Sequence, residues 1–347
     1  MFRILLTSLI ITFSTFLAFG QKTIVGKILS QTTKEPIPFA NIGVVNSNVG
    51  TLSNLDGSFS IIIPQKQLTD SLTFRSLGFY GKSISINQLE SRKEFTIYLN
   101  EKATLLSTVI ITAKKIKYKK IELGNRVYTS GNYEPDTTYA GRSVALLIDT
   151  RNIPTQKSFP VYLKKASLRI FRNNFESFKF RVRINKYDSL TGKPGVDLID
   201  QSIIEESSMQ SGWLDFDLSK LNFRVTGPFF ITFEQLLDSK HRTSIAMGFR
   251  DIIRSHPEWF RSDSIYFDGK KQYSIKLERG GIELPGTFIG ASYAKSDIDK
   301  YACYVRKTSL GEWYKIPAIM AATVTLSGQF IDTKDLPPIA PELQIRQ

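Results

Sequence analysis

Along most of this chain apolar and polar residues alternate with a period of two. Ser58-Phe59-Ser60-Ile61 and Phe178-Lys-Phe-Arg-Val-Arg-Ile184 alternate without a break, which predicts strands with one set of side chains on each face. In a first block, residues 21–99, the pattern predicts strands at Thr23–Ser30, Ala40–Val45, Ser58–Ile63, Ser71–Ser76, Lys82–Ile86 and Glu94–Leu99. Lys34-Glu-Pro-Ile-Pro38, Asn46–Gly50 and Asn54-Leu-Asp-Gly57 separate them, and Asp56-Gly57 suits a tight turn. A second block, 121–330, predicts strands at Tyr139–Leu147, Val161–Phe171, Phe178–Tyr187, Ile203–Glu206, Gly212–Asp217, Arg224–Phe233, Ser244–Phe249, Gln272–Leu277 and Ala321–Gln329. Helical turns are expected only at Leu218–Leu221, Gln235–Ser239 and Asp251–Arg254. Short strands punctuated by Gly, Pro, Asn and Asp predict an all-β chain with a small sandwich followed by a larger, jelly-roll-like one.

The ends read differently. Met1–Gly20 holds Arg3 as its one charge, an apolar run Ile4–Phe19 and the small-residue exit Ala18-Phe-Gly20. That is the pattern of a secretory signal peptide, and the run is shorter than a membrane-spanning helix prefers. The expectation is an exported protein, in the periplasm or at the outer membrane or cell surface, with no transmembrane segment in the mature chain. Ala113–Lys120 contains five lysines and reads as a basic linker, and 331–347, with three prolines, as a flexible tail.

Composition narrows the chemistry. The 347 residues carry a formal charge of +14 with one Cys and two His. One cysteine makes no intrachain disulfide, and three such ligands cannot complete a four-ligand zinc site. Export disfavours nucleic acid as a partner despite the charge. Cys303, within a strand-like run, reads as a buried small hydrophobe.

Ordered motifs in the first block carry a resemblance. Val25-Gly-Lys-Ile-Leu29, Glu35-Pro-Ile-Pro-Phe-Ala-Asn41, Gly50-Thr51, Asn54-Leu-Asp-Gly-Ser-Phe59 and Leu77-Gly-Phe79 resemble the carboxypeptidase-regulatory-like domain of exported Bacteroidetes proteins. Leu106-Ser-Thr-Val-Ile-Ile-Thr112 resembles the strand that closes this module, with Thr108 where the family usually has Glu. The resemblance spans 21–112 and implies a prealbumin-like or Ig-like sandwich, not an activity. Phe180-Arg-Val-Arg-Ile184, Lys193-Pro-Gly-Val-Asp-Leu198, Gly212-Trp-Leu-Asp-Phe-Asp-Leu218 and Phe229-Phe-Ile-Thr-Phe-Glu234 resemble an uncharacterised domain that follows this module in envelope proteins.

Catalytic patterns fail one by one. His241 and His256 lack a Glu three residues on, as a zinc carboxypeptidase requires, and no Gly-x-Ser-x-Gly elbow occurs. Asp215 and Asp217, two apart on a strand, share a face opposite Leu214, Phe216 and Leu218, and read as a solvated face. Asn54 and Asp56 offer too few oxygens for calcium. Phosphate-binding loops are absent. About 235 residues follow Thr112, too few for the plug and barrel of an outer-membrane receptor.

Two surface features remain as binding candidates. Lys179, Arg181 and Arg183, with Lys165 and Arg169 of the preceding strand, would line one sheet face as a basic stripe for an anionic glycan, lipid or protein. Trp259, in the loop His256–Phe260, would offer a sugar-stacking ring, whereas Trp213 reads as a core anchor. The expected function is a non-catalytic envelope module that binds a protein or glycan without a cofactor. A hydrolase in the second block and an accessory partner of an outer-membrane transporter are the alternatives.

Overall fold

Alternation becomes structure first in Lys22–Ser30, where Ile24 and Ile28 turn inward and Thr23, Val25 and Lys27 outward. The computed structural model describes residues 21–89, 95–103, 119–132, 140–151, 153, 160–267, 270–277, 285–298 and 301–328. The expected leader, the closing strand Leu106–Thr112, the linker up to residue 118 and the tail 331–347 lie outside them. The protein is almost entirely β, and the chain divides into two units: Met1–Glu101 with Thr308–Glu312, and Lys102–Lys307 with Trp313–Gln347.

The first unit is a two-sheet sandwich. Its strands are β1 (Lys22–Ser30), β2 (Asn41–Gly43), β3 (Gly50–Leu52), β4 (Ser58–Ile63), β5 (Ser71–Arg75), β6 (Lys82–Ser85) and β7 (Phe95–Leu99). β1 lies between antiparallel β4 and parallel β7, and β3-β2-β5-β6 form the second sheet. Between the sheets, Phe59, Phe74 and Phe95 meet edge to face at centroid distances of 5.7, 5.7 and 6.3 Å, the arrangement that aromatic quadrupoles favour. The Asp56-Gly57 turn forms as expected. Asp56 Oδ1 accepts from the Ser58 amide at 3.0 Å and the Ser58 hydroxyl at 2.6 Å, which holds its carboxyl below the usual range. Gly57 takes φ +75°, and a Cβ there would stand 2.5 Å from the Ile28 carbonyl oxygen. Turn chemistry accounts for both acidic-turn residues, Asn54 and Asp56.

The second unit pairs its strands antiparallel throughout the described residues. They are β8 (Lys119–Asn125), β9 (Ser130–Asn132), β10 (Ser143–Ile148), β11 (Val161–Asn173), β12 (Phe178–Tyr187), β13 (Pro194–Asp197), β14 (Ile203–Ser207), β15 (Gly212–Asp217), β16 (Arg224–Val225) and β17 (Phe229–Gln235). Then follow β18 (Phe260–Phe267), β19 (Lys270–Leu277), β20 (Thr287–Ser292), β21 (Cys303–Arg306), β22 (Tyr314–Lys315), β23 (Ile319–Met320) and β24 (Ala322–Gly328). One sheet runs β13-β12-β17-β10-β21-β22 with β14 on β12. The other runs β23-β20-β11-β24-β8 with β15 and β16 on β11. Their inner faces meet in a core that includes Leu146, Val182, Ile184 and Phe233 from the first and Leu168, Phe216, Val324 and Leu326 from the second.

One expected strand is a helix. Ser244–Phe249 lies inside the helix Ser239–Ser255, which also absorbs Asp251–Arg254. Ile245, Phe249 and Ile252 recur at helical spacing, and Asp238 caps the start by accepting from the His241 amide at 2.7 Å. The β-prone side chains were outweighed by that cap and that period.

Removing one ring of the aromatic triad tests the first sandwich. Phe74→Ala is expected to lower unfolding free energy by about 3–5 kcal/mol, read from urea titration followed by circular dichroism. A loss below about 1 kcal/mol would mean that the triad is not the centre of that core.

Candidate functional site

The expected basic stripe divides in the structure. On β12, Phe178, Phe180, Val182 and Ile184 do face the core, and Lys179, Arg181 and Arg183 face the other way. That second face is covered. Arg181 is 1% exposed and Arg183 7%. Glu234 on the neighbouring β17 is wholly buried, and its Oε2 accepts from Arg181 Nη1 at 3.1 Å and Arg183 Nη1 at 3.0 Å. Arg183 also grips Asp197 with two bonds of 2.8 and 2.5 Å, and Asn185 Nδ2 donates to the same carboxylate at 3.1 Å. Arg181 and Arg183 are thus interior ion-pair residues and not a docking stripe. Alternation sorts residues between two faces, but it does not say whether the second face meets water. Lys179 stays nearer the surface, where Glu206 engages it at 2.7 Å and also accepts from Ser177.

Lys165 and Arg169 stand on the other sheet, on the outer face of β11. There the structure gathers residues the sequence did not connect. β15 pairs with β11 so that Trp213 lies across from Arg169, Asp215 from Ser167 and Asp217 from Lys165. Lys165 Nζ meets Asp215 at 3.0 Å, and Ser167 Oγ donates to Asp215 at 2.6 Å. The Arg169 guanidinium lies 4.7 Å from the Tyr128 ring centre and donates to Ser211 Oγ at 3.1 Å. Tyr128 meets Phe171 edge to face at 6.3 Å. From the end of β8, Arg126 reaches over Trp213 at 5.4 Å while Glu122 grips its guanidinium with two bonds.

The backbone makes this arrangement possible. Gly290 on β20 lies beneath Arg169, and a Cβ there would stand 2.8 Å from Arg169 Cγ. A glycine lets the arginine stem lie flat, so its guanidinium reaches Tyr128 as a stacked plate. The face therefore carries three aromatic rings, two planar cations and the three carboxyl groups of Glu122, Asp215 and Asp217. Hydrogen bonds from Arg126 hold the Glu122 carboxyl below its usual range, and bonds from Ser219 do the same for Asp217. Tyr128 and Phe171 are 37% and 38% exposed, large for aromatic side chains in a sheet.

Trp213 corrects the expectation of a core anchor. It shares the outward face with Asp215 and Asp217, as Leu214 and Phe216 turn to the core. The alternation that placed the two acids could have placed the tryptophan as well. Tyr128, Phe171 and Arg126 carried no such signal, since only the sheet that runs from β8 through β24 to β11 and β15 brings them together.

Trp259 is elsewhere, in a short 3-10 turn after the helix, stacked on His256 with centroids 3.4 Å apart and planes 5° apart. His256 Nδ1 lies 3.4 Å from Glu258. A hollow of about 660 Å³ opens beside that helix, lined by Lys240, Thr243, Ser244, Met247, Gly248 and Pro285. No cluster of three His, Cys, Asp or Glu side chains within metal-binding reach occurs among the described residues. Burial pushes the Cys303 thiol up to about 12, so it is a packed, inert side chain. No helix among the described residues is long and apolar enough to cross a membrane.

Residues 24–111 match the family model of the CarboxypepD_reg-like domain. The first unit thus contains a regulatory-like β-sandwich module, on the residues whose motifs suggested it. No curated protein matches the chain. The module's match ends before the second unit's sheets begin, so the aromatic and basic face described above lies outside it.

The buried ion-pair cluster makes two predictions. Glu234→Ala removes the buried carboxylate that bonds both Arg181 and Arg183 and is expected to remove about 3–5 kcal/mol of stability, measured by urea unfolding. Burial would raise the Asp197 carboxyl, but the charge and hydrogen bonds of Arg183 outweigh it and hold the group below its unfolded value. Its contribution is therefore present above the unfolded pKa near 3.8 and lost as pH falls through the lower folded one. Melting temperature should drop more steeply below pH 4 in the wild type than in Asp197→Asn, and equal slopes would refute the assignment.

Proposed function

We propose that this protein is a non-catalytic, exported envelope module whose second unit recognises a glycan on the outer face of the β11 sheet. The observation that carries this reading is the arrangement of Trp213, Tyr128 and Phe171 beside Arg126, Arg169, Asp215 and Glu122 on one rigid surface. Sugar rings present C–H faces that pack on aromatic rings and hydroxyl pairs that bridge a donor and an acceptor. Here both kinds of group alternate at strand spacing. Arg126 covers Trp213, yet its side chain is 65% exposed, so a sugar can displace it and take the ring.

Charge bookkeeping favours a sugar over a polyanion. Arg126 is matched by Glu122 and Lys165 by Asp215, which leaves Arg169 as the unmatched cation of the face among the described residues. A surface built to hold phosphates would not seat a carboxylate beside each cation. The non-catalytic reading is supported by the acids. On this face the Glu122 and Asp217 carboxyls lie below their ordinary range, whereas a glycosidase needs one raised acid beside its partner carboxylate. Export and envelope location rest on the leader-like pattern of Met1–Gly20 and on the regulatory-like module.

A glycan array with the full mature chain tests the proposal. Wild type is expected to bind a defined set of polysaccharides. Trp213→Ala and Tyr128→Ala should each weaken that binding about tenfold, the loss of one stacking contact of about 1.4 kcal/mol. Trp259→Ala, in the 3-10 turn after the helix and not one of the stacked rings of this face, should bind as wild type. Binding by wild type that survives both face substitutions, or no binding at all, would overturn the assignment.

A further inference from the structure

On the covered face of the β12 sheet, one described arginine lies beyond the ion pairs of the others. Strand pairing sets Arg181 across from Glu234, Glu234 across from Ser143, and Ser143 across from Arg306. One row therefore reads Arg181, Glu234, Ser143, Arg306, from β12 through β17 and β10 to β21. With Arg183 and Asp197 alongside, the described residues of this row are three guanidiniums and two carboxylates. Glu234 and Asp197 both bond Arg183, and Glu234 bonds Arg181 as well. Neither acid comes within ion-pair distance of Arg306.

Arg306 itself is 8% exposed. Its Nε donates to Ser143 Oγ at 3.2 Å and its plane stacks on Trp313 at 4.5 Å. Its Nη2 is buried with no acceptor. One row along, the Thr232 hydroxyl is also buried and without a partner, and the residues between, Ser143 and Ala145, are small. A guanidinium in this position carries a whole charge into the interior, where an unmatched ion costs several kcal/mol. Burial first, then the nearby Arg183, pull its pKa down to about 9, and the more distant Glu234 and Asp197 offset this only in part.

We propose that Arg306 holds a small monovalent anion, of the chloride class, inside the second unit. A monovalent ion matches the single charge of Arg306, which no described carboxylate pairs, and it accepts the Nη2 hydrogen that no described group accepts. Water would accept that hydrogen but leave the charge, and a phosphate or sulfate would overshoot it. The ion would sit over the small residues of β10, with Arg306 as its fixed cation and the Thr232 hydroxyl as a second donor on that face. Such a site acts on stability, since an ion bound only by the folded chain shifts the folding equilibrium by mass action.

The test is thermal unfolding of the full mature chain at one ionic strength, with chloride or bromide exchanged for gluconate. Wild type should melt about 2–4 °C higher in the halides, with saturation as halide rises. Arg306→Met should lose the dependence, and Arg306→Lys, which keeps the charge, should retain part of it. Equal melting of wild type in all three salts would overturn the proposal. Should Arg306→Met fail to fold, crystals of wild type grown in bromide decide. An anomalous peak within hydrogen-bond reach of Arg306 Nη2 supports the site, and a water-like density without anomalous signal refutes it.

Discussion

Glu234 has no contact with solvent, and one of its oxygens takes a hydrogen bond from each of two guanidiniums. Much of the second unit follows from that constraint. A carboxylate taken out of water needs its charge matched and its lone pairs filled. The matching groups come from β12, and Asp197 on β13 completes the chain of pairs. β13, β12 and β17 are thereby locked at one register. A slip of one residue along β12 would swing Arg181 and Arg183 into the apolar core beside Phe216 and Phe233 and leave Glu234 alone. Hydrophobic packing makes the two sheets meet. The ion pairs specify which residues of the β12 sheet stand opposite one another.

The same residue types meet opposite fates on the two sheets. On the β12 sheet, arginine is enclosed and its partners are carboxylates at bonding distance. On the outer face of β11, arginine stays half exposed and lies flat on aromatic rings, while the nearby acids pair mainly with lysine and with Arg126. Interior arginines fix structure because breaking any pair strands a charge. Exposed stacked arginines move at little cost, since water replaces the lost contact. A binding face needs the second kind. It must give up its own contacts to accept a ligand's, and a rigid sheet beneath keeps the remaining groups in place.

How far the sequence reveals this depends on what each signal measures. Strand alternation located β1, β4, β12 and β15 nearly to the residue, and it separated core from outer positions on β11 and β12 correctly. It could not report coverage, so Arg181 and Arg183 read as surface. It also missed the helix Ser239–Ser255, where a capping aspartate and a period of 3.6 are spread across a β-prone run. The motifs of the regulatory-like module were legible because they are local turns: Asp56-Gly57 demands the same backbone wherever it occurs. The aromatic face was not legible, because Phe171 and Trp213 lie on separate strands, Tyr128 lies in the connection from β8 to β9, and they meet only through the fold. Trp213 was the exception. Its placement followed from its neighbours Leu214 and Asp215, and a general expectation about tryptophan in sandwiches overrode that local evidence.

Arg169 and Arg306 each lack a described carboxylate at ion-pair distance, and their positions separate what each can do. Arg169 borders solvent, so its charge is screened and its plane is free to serve a transient ligand. Arg306 is enclosed behind Trp313, so whatever compensates it must be small, must be desolvated on entry, and must stay for as long as the fold does. The first is suited to recognition, where occupancy changes with the surroundings. The second is suited to folding, where an occupant becomes part of the structure. An unmatched charge therefore carries no single meaning in this protein. Depth of burial decides whether it acts as a binding group or as an incomplete element of the core.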